Sequence, residues 1–174
     1  MKTLTDHLAT YAQYHRDRRN IATHFLGIPM IVVGVEALLA RAQFEVAGHG
    51  LSAAVVVSAL ALVFYLRLDL RFGIAMASLL AFALTAGNAI AALPLVGWLL
   101  TSIGIFFAGW VIQFIGHAYE GKKPAFVDDL IGLLVGPMFV VAELMFMLGW
   151  NKPLLAEIER RAGPTHLRDI ARIA

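Results

Sequence analysis

The sequence predicts an all-α fold, that of a polytopic helical membrane protein, and three observations carry this prediction. Of its 174 residues, 60% are apolar and only 15% are charged, whereas a soluble domain has about a quarter charged residues. The mean hydropathy is +0.76. No Asp, Glu, Lys or Arg occurs over residues 72–116, which as helix would be about twice as long as the hydrocarbon core of a bilayer is thick. An ordinary soluble globular protein and a disordered chain are thereby excluded.

The charge and the cysteine count limit the chemistry further. The chain has no cysteine, which excludes disulfides, zinc–thiolate sites and thiol catalysis. The formal net charge is only +2, and a pI near 9.2 fits basic residues at membrane edges better than a nucleic-acid surface. We therefore expect membrane lipid and no nucleic acid among the partners. The function must come from the few polar residues in and near the apolar segments.

Residues 1–20 predict an amphipathic helix that lies on the membrane surface. They carry too many charged residues, and no apolar core, for a cleavable signal peptide. One face of the predicted helix combines three apolar or aromatic side chains with one histidine, namely Leu4, Leu8, Tyr11 and His15. A histidine on the buried face of such a helix is unusual and marks it as a candidate functional residue.

Residues 21–150 are predicted to form the membrane helices, beginning with four full spans. About 20 apolar residues cross the hydrocarbon, and the four predicted spans are residues 21–39, 50–66, 72–92 and 96–116. The last two are separated at Leu93-Pro94-Leu95, because proline ends a helix and needs no backbone donor in a turn.

A fifth apolar segment, residues 130–150, is predicted to be broken or re-entrant. It contains Gly132 and the pair Gly136-Pro137, which favour a bend or two half-helices. Orientation supports this prediction, since Arg16, Arg18 and Arg19 place the N-terminus in the cytoplasm. A full fifth span would export the basic residues of the tail, so we expect the segment to return the C-terminus to the cytoplasm.

The tail, residues 151–174, is predicted to be cytoplasmic and amphipathic, with an interfacial helix after Gly163-Pro164. One side of that helix would be apolar and the other basic, with Leu167, Ile170 and Ala171 opposite Arg168 and Arg172. Residues 1–174 together read as a single integral membrane domain.

Three histidines are predicted to meet at the cytoplasmic face of the membrane. His15 lies on the surface helix, His24 is one turn inside the first span, and His117 lies where the fourth span returns. Side-chain amides precede two of them by one helical turn, Asn20 before His24 and Gln113 before His117, and such amides can fix an imidazole tautomer. Imidazoles with a nearby carboxylate suit Fe²⁺, and Zn²⁺ is the other common occupant. The alternative is that these histidines are interfacial side chains or helix caps.

Four further polar residues have two interpretations each. Glu120, within a turn of His117, supplies a carboxylate as a ligand or as an acceptor for an imidazole N–H. Glu143 reaches the histidines only if the chain turns back at Gly136-Pro137, so we expect Glu120→Gln to reduce turnover more and Glu143→Gln to act mainly on folding. Lys122 and Lys123 either mark the cytoplasmic side or bind an anionic substrate headgroup.

Taken together, these motifs resemble a known family. The first stretch contains Tyr14-His15, Asn20, His24 and Gly27-Ile28-Pro29. The second contains Gly109-Trp110, residues 113–117, Glu120, Pro124-Ala125 and residues 128–130, and the third contains Pro137 and Glu143. In this combination the chain resembles, over about residues 8–150, the 2-hydroxy-fatty-acid dioxygenases of the metabolism of phytosphingosine to odd-numbered fatty acids.

This resemblance implies an Fe²⁺-dependent integral membrane enzyme whose essential histidines correspond to His15, His24 and His117. Its substrates would be a 2-hydroxy fatty acid and O₂, and its products CO₂ and a fatty acid one carbon shorter, as in α-oxidation. A composition rich in Ala and Gly, with more Arg than Lys, indicates a bacterial member in the inner membrane. Two alternatives stay open: a non-enzymatic membrane protein that binds lipid or metal, and a zinc-dependent membrane lipid hydrolase.

Overall fold

The computed structural model describes residues 2–46 and 48–169. Over these residues the chain forms seven α-helices, one short 3-10 helix at Ala125–Val127, and one β-hairpin. The helices are α1 (Leu4–Ala12), α2 (Arg18–Leu39), α3 (Ala53–Leu68), α4 (Leu70–Ala91), α5 (Leu95–Glu120), α6 (Gly132–Met147) and α7 (Lys152–Ala162).

Three of the described helices, α2, α4 and α5, are long and apolar enough to cross a membrane. They coincide with the predicted first, third and fourth spans. Helices α3 and α6 are apolar but contain only 16 residues each, or about 24 Å of helix against a hydrocarbon core of roughly 30 Å. The predicted count of four full spans is therefore not confirmed, since the second predicted span contains only the 16-residue helix α3.

A β-hairpin precedes α3 and includes residues 50–52, which were predicted to begin the second span. Strands β1 (Gln43–Val46) and β2 (His49–Ser52) pair in antiparallel register, with Gln43 opposite Ser52. Gly48 adopts a φ of 79° in the turn, a conformation that glycine adopts without strain. The Ser52 side chain then accepts the backbone N–H of Val55 at 3.3 Å and so caps α3. This hairpin is a departure from the predicted all-α fold.

The predicted surface helix over residues 1–20 is interrupted. Helix α1 begins with a capping box, in which Thr3 Oγ1 accepts the N–H of Asp6 at 3.2 Å and Asp6 accepts the N–H of Thr3 at 2.8 Å. Hydrogen bonds from Thr3 lower the pKa of Asp6 to about 2. The helix ends at Ala12, and residues 13–17 are a non-helical segment before α2. The N–H groups of residues 13–15 still bond carbonyls of α1, whereas those of Arg16 and Asp17 bond a side chain elsewhere in the chain.

The fifth apolar segment is not broken at Gly136-Pro137, contrary to the prediction. Helix α6 runs continuously through both residues. Pro137 removes only one intrahelical hydrogen bond, and buried neighbours on both sides, Val135 and Met138, hold the helix in place. Gly136 serves close packing, because a Cβ there would lie 3.0 Å from the Tyr11 hydroxyl.

The tail contains one described helix, α7, which lies before Gly163-Pro164, whereas the interfacial helix was predicted after these two residues. Helix α7 ends at Gly163, which has a φ of 84°, and Pro164 cannot donate a helical hydrogen bond. Residues 163–169 are therefore non-helical, so the interfacial helix predicted to include Leu167 and Arg168 is wrong for these two residues. Its other members, Ile170, Ala171 and Arg172, lie outside the described residues.

The chain divides into two compact units, Met1–Ile28 with Val111–Ala174, and Pro29–Trp110. In the first unit, α1 packs against α6 and α7 and the buried residues include many polar side chains. In the second unit the helices approach closely at glycines. A Cβ on Gly87 would lie 2.9 Å from Glu36 Cβ, and one on Gly34 would lie 2.9 Å from Phe106 Cβ.

Candidate metal centre

Three histidines from three parts of the chain converge in the first unit. His15 lies in the segment between α1 and α2, His24 in α2, and His117 near the end of α5. Their rings are 4.4 to 5.2 Å apart between centroids, and one nitrogen of each can be chosen so that all three lie within 4.8 Å of one another. All three side chains are buried. These are the histidines that the sequence predicts to meet.

Backbone carbonyls orient two of the rings. His15 Nδ1 lies 2.7 Å from the Tyr11 carbonyl oxygen, and His24 Nδ1 lies 2.8 Å from the Asn20 carbonyl oxygen. Because a carbonyl only accepts, each Nδ1 must carry the proton, which leaves Nε2 with a free lone pair. The Tyr11 ring also stacks on His15, with centroids 4.1 Å apart and planes 4° from parallel. These contacts fix both the tautomer and the direction of His15.

The cluster contains nitrogen atoms that no protein group satisfies. Among the described residues, His15 Nε2 and His117 Nδ1 are buried without a hydrogen-bond partner, and burying an unsatisfied polar atom costs about 1–3 kcal/mol. Burial, followed by the neighbouring His24 ring, lowers the pKa of His15 well below its ordinary value. Neutral imidazoles with free, buried lone pairs are what a divalent transition metal requires, so this donor set fits a metal ion.

The side-chain amides of Asn20 and Gln113 were expected to bond the histidine rings, and neither amide has a recorded hydrogen bond to one among the described residues. The Asn20 side chain donates to the Tyr14 carbonyl at 3.1 Å and to Glu120 Oε2 at 3.2 Å, so that its backbone carbonyl, and not its amide, bonds His24. Gln113 is buried, and its Nε2 has no hydrogen-bond partner in the described part of the chain.

Glu120 holds the backbone of the segment that carries His15. Its Oε2 accepts the N–H of Arg16 at 2.9 Å and the N–H of Asp17 at 2.7 Å, in addition to the Asn20 amide. These bonds satisfy the backbone donors of Arg16 and Asp17 outside any helix, and they give the buried carboxylate three donors. Glu120 therefore supports the segment that carries His15 and is not one of the three clustered side chains.

Arg16 is a buried residue whose role sequence reasoning missed. Its Nε donates to the carbonyls of Ala12 at 3.0 Å and His15 at 2.9 Å, and its Nη2 lies 3.5 Å from Glu143 Oε1. Glu143 thus reaches the neighbourhood of His15 through Arg16, without any turn in α6. The available signal was Glu143 itself, because a carboxylate in an apolar helix requires a cationic partner.

The two lysines that were candidates for binding a headgroup both have protein partners. Lys122 Nζ donates to the Gln13 carbonyl at 2.6 Å, and Lys123 Nζ donates to Asp128 Oδ1 at 2.5 Å. Asp128 also accepts the Tyr14 hydroxyl at 2.8 Å. Lys122 therefore contacts a residue close in sequence to His15. Lys123 contacts Asp128, which is bonded to Tyr14, the residue before His15.

Comparison with known proteins identifies the family. The family described as "Mpo1-like: 2-hydroxy-palmitic acid dioxygenase Mpo1-like" matches residues 1–148. A relative from Saccharomyces cerevisiae, named 2-hydroxy-palmitic acid dioxygenase MPO1, is 30% identical over 158 residues, which cover 90% of this chain and 87% of the relative. No solved structure matches the chain. The predicted resemblance is thereby confirmed, and the chain belongs to the Mpo1-like family of 2-hydroxy-palmitic acid dioxygenases.

Proposed function

We propose that this protein is a membrane enzyme, an Fe²⁺-dependent dioxygenase of 2-hydroxy fatty acids. In the proposed reaction, one 2-hydroxy fatty acid and one O₂ give a fatty acid one carbon shorter, one CO₂ and one water, which balances all atoms. The bond between the carboxyl carbon and the hydroxyl-bearing carbon is broken, and O₂ is the oxidant. The observation that carries the proposal is the buried group of three histidines with two unsatisfied nitrogens, in a chain related to a protein named as a 2-hydroxy-palmitic acid dioxygenase.

His15, His24 and His117 are the proposed ligands. These three side chains would hold Fe²⁺, which would supply the redox chemistry for a reaction between a 2-hydroxy carboxylate and O₂. The carbonyls of Tyr11 and Asn20 hold the Nδ1 protons of His15 and His24, which directs each Nε2 lone pair away from them. Glu120 and Asn20 support this arrangement by fixing the segment that carries His15.

The long acyl chain of the proposed substrate is consistent with a site in a protein that has long apolar helices. The helices α2, α4 and α5 are long and apolar enough to cross a membrane, which supports a position where the acyl chain stays in apolar surroundings, at about 0.8 kcal/mol per buried methylene. The distribution of Arg and Lys supports a cytoplasmic position for the termini and the histidines, in the inner membrane of a bacterium. An ammonium has three donors, so Lys122 and Lys123 can keep their present contacts and also meet a carboxylate headgroup.

Oxygen uptake tests the proposal. Protein purified without oxygen and loaded with Fe²⁺ should consume O₂ when 2-hydroxypalmitate is added, and should release pentadecanoic acid and CO₂ in equal amounts. Palmitate without the hydroxyl is the matched control and should give no uptake. No uptake by iron-loaded protein with either acid would contradict the proposal and favour a lipid- or metal-binding protein. Release of a fatty acid from an added ester lipid, without O₂ uptake and in the presence of Zn²⁺, would favour the hydrolase instead.

A further inference from the structure

The segment that follows α7 lies against the residues that carry two of the three clustered histidines. We propose that residues 163–168 form a strap that positions His15 and His24 for metal binding, and that Asp17 is the residue that fastens it. This inference rests on the proposed metal function. The family match ends at residue 148, so it assigns no role to the strap.

Backbone hydrogen bonds join the strap to the segment between α1 and α2. His166 donates its N–H to the Arg16 carbonyl at 2.9 Å, and its own carbonyl accepts the N–H of Arg18 at 2.9 Å. Asp17 and His166 thereby form a parallel β-bridge. Because Arg16 directly follows His15 and Arg18 begins α2, this bridge fixes the chain direction between two of the proposed ligands.

Asp17 ties the bridge together with four hydrogen bonds. Its Oδ2 accepts the N–H of Arg168 at 2.8 Å and Nη2 of Arg19 at 2.7 Å. Its Oδ1 accepts the N–H of Arg19 at 2.8 Å and Nε of the same residue at 3.0 Å. The side chain is fully buried, and every one of these bonds is charge-assisted. The buried Asp17 carboxylate therefore bonds both the strap, through Arg168, and the first turn of α2, through Arg19.

Three arginines add further contacts between the strap and the rest of the first unit. Arg16 Nη1 donates to the Gly163 carbonyl at 3.2 Å, and Arg19 Nη2 donates to the Arg168 carbonyl at 2.7 Å. The Arg168 guanidinium lies directly on Gly121, where a Cβ would fall only 1.5 Å from Nη1. Gly121 follows the last residue of α5, the helix that carries His117. The strap therefore contacts the chain beside all three histidines.

In this proposal the histidines bind the metal, and the strap holds the segment between His15 and His24 in place. His117 lies far along the chain from His15 and His24, and the backbone N–H groups of Arg16 and Asp17 lack the internal hydrogen bonds of a helix. The strap and Glu120 supply those bonds from outside. Loosening the strap should leave the ligands present but less well placed, which weakens metal binding and changes its geometry.

A matched pair of variants at residue 166 isolates the backbone contact. His166→Ala keeps the N–H that bonds Arg16, whereas His166→Pro removes it. We expect His166→Pro in the full chain to raise the Kd for Co²⁺ about 10- to 100-fold, the usual effect of losing support around a ligand, and His166→Ala to change it less than about twofold. The d–d absorption spectrum of bound Co²⁺ should change in His166→Pro only, since it reports ligand geometry.

Asp17→Asn provides a second test in case His166→Pro fails to fold. It keeps the shape of the side chain but replaces one acceptor oxygen with a donor, so it should weaken Co²⁺ binding and alter the spectrum in the same direction. Glu157→Gln is the matched control. Glu157 is also a carboxylate with arginine partners, but these partners, Arg160 and Arg161, lie on α7 and not on the strap. Circular dichroism would confirm that each variant retains its helices.

The outcomes separate the strap from the proposed function. If either folded variant binds Co²⁺ with the affinity and spectrum of the unaltered protein, the strap proposal is overturned while the proposed function stands. Weaker binding with an unchanged spectrum would indicate a general loss of stability and would also overturn it. If the unaltered protein binds no Co²⁺, or if His24→Ala binds it equally well, the proposed metal function fails and the role of the strap fails with it.

Discussion

The two compact units of the chain bury different kinds of residues. Among the described residues, the second unit buries few polar side chains, namely Glu36, Ser52, Ser58 and Ser102. The first unit buries a larger set, namely His7, His15, Arg16, Asp17, Asn20, His24, Gln113, His117, Glu120 and Glu143. Since burying a polar or charged group is costly unless it has a partner, the first unit is organised by its polar contacts and the second by apolar packing.

The difference shows how to recognise a site. In the second unit, the Ser58 hydroxyl donates to Glu36 at 2.7 Å, and helices approach closely at Gly34 and Gly87. In the first unit, the buried charges hold one another, and His15 and His117 each keep an unsatisfied nitrogen. The second unit also has buried polar atoms without a partner, Glu36 Oε2 and Ser102 Oγ. Among the described residues, only the first unit gathers three metal-binding side chains at one point, and this convergence is what fits a metal ion.

The largest effect is expected from removing a proposed ligand. His15→Ala, His24→Ala and His117→Ala should each lose stoichiometric iron and fall at least about 100-fold in oxygen uptake, more than the loss usual for a supporting residue. His166→Ala is the control from the same unit, and it should keep its iron. Metal analysis after anaerobic purification measures the result. Full iron content in all three variants would contradict the assignment of the site.

The next largest effect is expected from the buried ion pair between Arg16 and Glu143. Glu143→Met leaves the Arg16 guanidinium buried without its charge partner, which should cost about 3–5 kcal/mol of stability. The double variant Arg16→Met with Glu143→Met should recover much of that loss, because no unpaired charge remains. Midpoints of thermal unfolding in detergent measure both. A double variant no more stable than Glu143→Met would show that the pair is not the cause.

Glu120 is expected to act on the site more than on stability. Glu120→Gln keeps the shape of the side chain but weakens three hydrogen bonds to the segment that carries His15. We expect turnover and iron affinity to fall about 10-fold or more, whereas Glu143→Gln should mainly lower the unfolding temperature. Side-by-side oxygen uptake and metal analysis decide between the two carboxylates. Normal turnover in Glu120→Gln, with loss of iron in Glu143→Gln, would reverse their roles.

The smallest effect is expected in the second unit. Glu36→Gln keeps an oxygen that accepts the Ser58 hydroxyl, so stability should change by less than about 1 kcal/mol. Iron content and oxygen uptake should stay unchanged, in contrast to Glu120→Gln. The same two assays test this. Loss of iron in Glu36→Gln would mean that the contrast between the units is wrong.

Several elements could be predicted because their cause is local. The apolar composition over residues 21–39, 72–92 and 96–116 anticipates α2, α4 and α5, since a membrane span depends on the residues it contains. The alternating direction of the predicted spans also brought His24 and His117 to the same membrane face, and the two residues do lie together. The break predicted at Gly136-Pro137 failed for the opposite reason, because packing from other elements outweighed the local preference of two residues.

By itself, the sequence determined the helical class, three of the four predicted spans, the family, and which three histidines come together. The tertiary structure alone decided how these histidines are supported. Glu120 bonds the backbone of Arg16 and Asp17, more than a hundred residues earlier in the chain, and His166 bridges to Asp17 from the other end. Periodicity reports which face of an element is apolar, but a hydrogen bond between distant elements leaves no period in either, so it becomes visible only when the chain is folded.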